Sequence, residues 1–179
     1  GKIKNSTYLF DKNGRVAFVY DKQHLPPSEV KLGISRGNDS GKCKCLCELD
    51  GIRFAFMPCY DVYFNEQIEY IANRNADIIF MASGGGNMGV IEAIKEADNV
   101  KGIGVDMPMS YLAKDHIITS ALKNVGEGLK LTIKDYIEGN FAGGNEVKYD
   151  LISGGVGYEL TDLIPQDVVD FVEEKINSK

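Results

Sequence analysis

Short alternating runs open the chain and solid apolar blocks follow. Residues 6–10 (STYLF) and 15–20 (RVAFVY) flank Asp11-Lys12-Asn13-Gly14, and strands around such a turn predict a hairpin. Residues 21–29 are polar and carry Pro26 and Pro27, which predicts a loop without regular structure, and a second polar loop is expected over 33–41. Two more strands, 42–49 and 52–57, flank Asp50-Gly51. Residues 65–74 read as a short helix with Ile68 and Ile71 inward. The unbroken run Ile78-Ile79-Phe80-Met81-Ala82 predicts a buried parallel strand, followed by Gly84-Gly85-Gly86 and a helix over 90–97. A strand over 101–105 ends in Asp106. Ile118, Ala121, Leu122, Val125, Leu129, Ile133 and Tyr136 keep a helical rhythm, which predicts one long helix over 113–138. A glycine-rich turn at 140–145, a strand at 149–152 and a second glycine cluster at 154–157 follow. Pro165 then opens a last helix, 166–176, with Val168, Val169 and Val172 inward.

Strands alternating with helices predict an α/β fold: a single mixed, largely parallel sheet with helices packed on it, forming one domain over 1–179. Ligands of such sheets bind beyond the carboxyl ends of the strands. Three loops are expected there: 83–88, 106–110 and 153–158. Asp106 would end its strand as a ribose-type hydrogen-bond acceptor, and Lys123 would lie on the following helix.

Charge and composition narrow the partners. A formal net charge of −6 leaves no basic stripe for a phosphate backbone, so no nucleic-acid partner is expected. No apolar run approaches the roughly 18 residues of a membrane span, and no signal peptide is present. Gly1 reads as the scar of a cleaved tag, which leaves the compartment unknown. Cys43, Cys45 and Cys47 alternate, so a strand would turn all three to one side as small buried residues. Their spacing suits neither a tetrahedral metal site nor a disulfide, and no metal or cofactor is expected.

Cys59 stands apart. It follows a buried strand and precedes a helix, where a strand end projects a nucleophile and turn N–H groups can stabilise an oxyanion. Tyr20-Asp21-Lys22-Gln23-His24-Leu25, Glu29 and Cys59-Tyr60-Asp61 together resemble the nitrilase superfamily, the carbon–nitrogen hydrolases, which cleave amides and nitriles with a Glu–Lys–Cys triad. The resemblance implies Lys22 as the triad lysine, Cys59 as the nucleophile, Glu29 as the accessory glutamate and the Tyr60 N–H as part of the oxyanion hole. The residues ahead of Lys22 contain no glutamate, so the general base that would activate Cys59 has no counterpart there. The expectation is therefore no enzyme turnover, with Lys22 and Glu29 as a leftover ion pair and His24 as a packing or loop-capping residue.

The second half carries other motifs. ADIIFMASGGGNMGVIEAIKEA, IGVDMPMSYL, HIITSALKNVG and SGGVGYEL, in that order, resemble the BMP family of solute-binding lipoproteins, which bind purine nucleosides for ABC uptake. The resemblance implies that Asp106 and Lys123 contact the ribose, and that Gly84-Gly85 and Gly154-Gly155 lie against the ligand. It covers one lobe of a two-lobed binder, so any purine nucleoside is expected to bind weakly.

These readings predict a hybrid: a nitrilase-like fragment over about 5–80 and a BMP-like fragment over about 76–179, with the division of parts at 77/78 inside ADIIF. The parents would be cytoplasmic and membrane-anchored extracytoplasmic respectively, which points to an engineered chimeric scaffold without evolved activity. The alternatives are a weak nucleoside-binding module and a residual thiol-dependent hydrolase. An unpaired sheet edge and exposed apolar surface favour a homodimer.

Overall fold

The structure is a computed structural model and describes residues 1–37, 45–141 and 143–178. Cys43 and the start of the strand expected from residue 42 lie outside the described residues. The fold is α/β. A two-stranded sheet is formed by β1 (Ser6–Phe10) and β2 (Val16–Asp21). A six-stranded mixed sheet has the order β3-β4-β5-β6-β7-β8, from β3 (Leu46–Leu49), β4 (Ile52–Pro58), β5 (Ile78–Ala82), β6 (Lys101–Asp106), β7 (Ile117–Lys123) and β8 (Val156–Tyr158). By compactness the chain divides into two units, 1–103 and 104–179, with the division inside β6.

In the first unit, the expected hairpin of β1 and β2 is antiparallel, with Tyr8 opposite Val19. The Asp11 carboxylate accepts the N–H groups of Asn13 and Arg15 at 2.8 and 2.9 Å and so fixes the turn. Phe18 and Tyr20 lay their rings on Phe56 of β4, at 5.6 and 6.3 Å between centroids. β3 pairs antiparallel to β4, and β4, β5 and β6 run parallel. Helix α1 (Pro27–Lys31) occupies part of the stretch expected to be irregular. Pro27 sits in the first helical turn, where its missing N–H costs nothing, so the second proline starts structure instead of preventing it. Helices α2 (Asn65–Ala72) and α3 (Asn87–Glu96) connect β4 to β5 and β5 to β6. Ile71 is buried as expected, but Ile68 is 43% exposed, and α3 buries Ile91 and Ile94.

The second unit departs further from expectation. The long helix over 113–138 is two elements, β7 and helix α4 (Val125–Ile137). Ile117, Ile118 and Thr119 are β-branched and prefer extended backbone, and β7 pairs antiparallel to β8. The helical spacing of Ile118, Ala121 and Leu122 was a coincidence of composition. Lys123 therefore ends a strand and is not a helix residue. The stripe Leu129, Ile133, Tyr136, expected to face a core, is exposed.

Residues 149–152 form no strand. Asp150 and Ser153 bond each other's backbone N–H groups at 2.9 and 2.7 Å, and that turn outcompetes extended pairing. Helix α5 (Gln166–Asn177) follows Pro165 as expected, with Val169 and Val172 half-buried but Val168 exposed. No helix among the described residues is long and apolar enough to cross a membrane.

Candidate functional site

Strand β4 buries Ala55 through Pro58 and then delivers Cys59 into solvent. Cys59 has φ +41°. The other non-glycine residues with positive φ among the described residues are Asp or Asn, whose short polar side chains tolerate that region. Cys59 has no such excuse, and a strained thiol at the end of a buried strand is a feature found at functional turns. A short 3-10 turn, Cys59–Tyr63, follows, and the Tyr60 ring packs edge-on against Tyr63 and Phe64.

Lys22 is 1% exposed, and its Nζ donates to Glu29 Oε1 at 2.8 Å. Asn5 Nδ2 reaches the same oxygen at 3.3 Å. Glu29 Oε2 is buried and accepts no hydrogen bond from the described residues. The expected pairing of Lys22 with Glu29 is thus present, with α1 carrying the glutamate and the end of β2 leading into the lysine.

The residue that joins this lysine segment to the cysteine turn is Asp61, which is fully buried. Its carboxylate accepts the Tyr20 hydroxyl at 2.7 Å, the His24 N–H at 2.7 Å, His24 Nδ1–H at 2.8 Å and the Gln23 N–H at 3.4 Å. Gln67 Nε2 donates to the Tyr20 oxygen at 3.0 Å. The His24 ring stacks on Phe64 at 3.6 Å, and its Nε2 lies 3.0 Å from Glu66. Burial, and then the Asp61 charge, push the Tyr20 phenol far above its ordinary pKa, so it stays a neutral donor. Sequence reasoning gave His24 a packing or loop-capping role and, while quoting Asp61 within the Cys59-Tyr60-Asp61 motif, assigned it no role. The available signal was an acid two residues past the cysteine between aromatic and aliphatic neighbours.

On the glycine side of β5, Gly84 has φ +56° and Gly85 has open space where a side chain would be. Ser83 N–H donates to Asn87 Oδ1 at 2.9 Å, which ties the loop to the start of α3.

In the second unit, Asp106 ends β6 with φ +71°, and its carboxylate meets Lys123 Nζ at 3.1 Å. The two residues predicted to share a ligand are therefore brought together, from the ends of two strands, and both side chains are exposed. The loop after Asp106 is held by Glu159, which sequence reasoning missed. Its carboxylate accepts the Met109 N–H at 3.0 Å, the Ser110 N–H at 3.3 Å, the Ser110 hydroxyl and the Ser120 hydroxyl at 2.7 Å. Burial works to raise its pKa, but these hydrogen bonds outweigh it and hold the carboxyl below its ordinary value. Gly154 has φ +76°, and its carbonyl accepts Asn124 Nδ2 at 2.9 Å. A Cβ on Gly155 would stand 2.2 Å from Tyr149 Cβ, so that glycine is required by packing within the unit. No group of three or more His, Cys, Asp or Glu among the described residues could hold a metal ion.

Comparison with known proteins gives two family matches that overlap, and the second runs across the boundary between the two units. Residues 1–98 match the model of the carbon–nitrogen hydrolase family, and residues 67–179 match that of the family described as ABC transporter substrate-binding protein PnrA-like. Basic membrane protein A of Borreliella afzelii is 40% identical over 109 residues, covering 58% of this chain and 34% of that protein. The 2-oxoglutaramate amidase of Bacillus subtilis (strain 168) is 30% identical over 82 residues, covering 45% of this chain and 30% of the amidase. The chain thus spans about a third of the length of these curated relatives. Among solved structures, a transcriptional activator of the comK gene from Bacillus halodurans superimposes with a TM-score of 0.56 at 26% identity, over 64% of this chain and 40% of that one.

Proposed function

Because the chain belongs to the carbon–nitrogen hydrolase family through residues 1–98 and to the PnrA-like substrate-binding family through residues 67–179, we propose that it is a chimeric α/β scaffold. It carries a cysteine site of the first family and a half-site of the second, without evolved turnover. The two family matches overlap over 67–98, which supports a junction engineered within a stretch compatible with both parents.

One observation carries the absence of turnover. Cys59 points into solvent without a hydrogen-bond partner among the described residues, while the buried Lys22 is committed to Glu29. A thiol needs an adjacent base or a cation to become a competent nucleophile. The reading is tested by burst acylation with an activated amide or ester. The expected result is no burst, with Cys59→Ala behaving as the parent protein. A stoichiometric burst lost in both Cys59→Ala and Lys22→Met would overturn it and establish a residual thiol hydrolase.

A second reading, weak binding of a purine nucleoside, is favoured by the Asp106–Lys123 pair, which offers an acceptor and a donor side by side at strand ends. Both side chains are exposed, so each hydrogen bond to a ribose replaces one to water and adds little. Calorimetry with guanosine, adenosine and inosine tests this reading. Heat at millimolar nucleoside that disappears in Asp106→Ala supports it, and no heat with no thermal shift ends it.

A further inference from the structure

Between α2 and α3 the first unit holds an open cavity of about 1010 Å³. Its lining lies entirely within residues 53–100, so the cavity is a feature of that unit alone. Met57 of β4 and Ile79 of β5 form the floor, because both point to the same face of the sheet. Ile71 of α2 and Val90 and Ile94 of α3 supply apolar walls. Nearer the solvent the walls carry only small residues, Ala72 on one side and Gly89 and Ala93 on the other, so the slot stays wide.

The two ends of the slot differ. At the carboxyl ends of β4 and β5, Val62 packs onto Gly86, where an added Cβ would stand 2.6 Å from Val62 Cγ1, so this end is apolar and closed. The other end lies where β5 and β6 begin. Asn75 and Asn99 come just before those strands, which run parallel with Ile78 paired to Lys101. Neither asparagine amide bonds another side chain or backbone group among the described residues, so both are open to a ligand. Arg53 is the one cation among the described lining residues, and its guanidinium is committed to both Asp77 oxygens at 3.0 and 2.9 Å. Asp98 adds a further carboxylate.

Apolar walls, a closed apolar end and a few polar groups at the opposite end suit an amphiphile. Strand β5, which runs along the floor, has five residues and spans about 17 Å, which calls for an elongated molecule. A carboxylate head would meet Asp77 and Asp98 with no uncommitted cation to pair with, whereas a neutral head can exchange hydrogen bonds with the two amides. We propose that the α2–α3 cavity binds an aliphatic chain with an uncharged head, an alcohol or a primary amide. The chain lies along β5 and the head at Asn75 and Asn99. This site involves neither Cys59 nor the Asp106–Lys123 pair.

The test titrates the full chain with the uncharged fluorophore N-phenyl-1-naphthylamine and then displaces it with decan-1-ol or with decanoate at pH 8. A saturable rise in fluorescence is expected, with decan-1-ol displacing the probe at a concentration about tenfold below that of decanoate. Ala93→Phe and Ala72→Phe fill the slot from opposite walls. Both positions are exposed, so each variant is expected to keep its circular dichroism, and if one does not, the other decides. Each ring takes the room of several methylenes, so probe affinity should fall about tenfold or more. Leu129→Lys, on the exposed stripe of α4, should leave the titration unchanged. No saturable rise, an unchanged affinity in a folded phenylalanine variant, a rise lost in Leu129→Lys, or decanoate displacing the probe as well as decan-1-ol would overturn the proposal.

Discussion

Replacing Asp61 by alanine tests whether one buried carboxylate holds the lysine segment to the cysteine turn. Its partners are the Tyr20 hydroxyl, two groups of His24 and the Gln23 N–H. Hydrogen bonds to a charged group contribute about 1.5–3 kcal/mol each. The three short ones would sum to about 5–9 kcal/mol if additive, but removing the charge also removes its burial cost. Breaking a buried charged network from one side costs about 3–5 kcal/mol, and that is the expected loss for Asp61→Ala.

Asp61→Asn keeps the shape and one acceptor oxygen but turns an NH₂ toward a donor, so about 2–3 kcal/mol is expected. Tyr20→Phe removes the donor to Asp61 and the oxygen that accepts Gln67 Nε2, and should cost about 1–2 kcal/mol, less once Asp61 is gone. The double-mutant cycle of Asp61→Ala with Tyr20→Phe should therefore show a coupling of about 1–2 kcal/mol. Urea unfolding followed by circular dichroism gives all three quantities, provided the slopes agree. An Asp61→Ala loss below about 0.5 kcal/mol, or additive single variants, would refute the reasoning.

Two further outcomes concern the second unit. Glu159 has a folded pKa below its ordinary 4.5, so its contribution to stability is fully present above that value and is lost as pH falls through the folded pKa. Glu159→Gln should cost about 1–3 kcal/mol near neutral pH, and the gap to the parent should narrow as the pH falls below 4.5 and through the folded pKa, measured by urea midpoints at each pH. Gly155→Ala should destabilise by about 1–3 kcal/mol or more because its methyl overlaps Tyr149, whereas Gly85→Ala, with open space around it, should leave the thermal midpoint nearly unchanged.

The parts of the fold legible in the sequence were those where local chemistry and burial agree. The Asp11–Gly14 turn, the parallel strand β5, the glycine loop after it and the exit of β4 into Cys59 were all read from adjacent residues, although β5 was expected to be buried throughout and only its Met81 is. β7 was misread because Ile118, Ala121, Leu122 and Val125 happen to fit a helical period across a strand and the helix after it, and only pairing with β8 decides between them. The error carried Lys123 with it. The exposed stripe of α4 was equally invisible, since an amphipathic pattern says that a face wants cover and not that it has one. Asp61 and Glu159 were missed for a different reason. A single buried carboxylate has no periodicity, and its donors come from residues about 40 or 50 positions away.

The Asp61 cluster also bears on how the chain assembles. Its donors at residues 20 to 24 precede it by 37 to 41 positions. Closing a flexible loop of that length costs about 3 kcal/mol of chain entropy, comparable with what the cluster returns once complete. The stacking of Phe18 and Tyr20 on Phe56 shares that cost, so the cluster works as a latch on an approach the aromatic rings already favour, and its own strength nearly equals the disorder it must overcome.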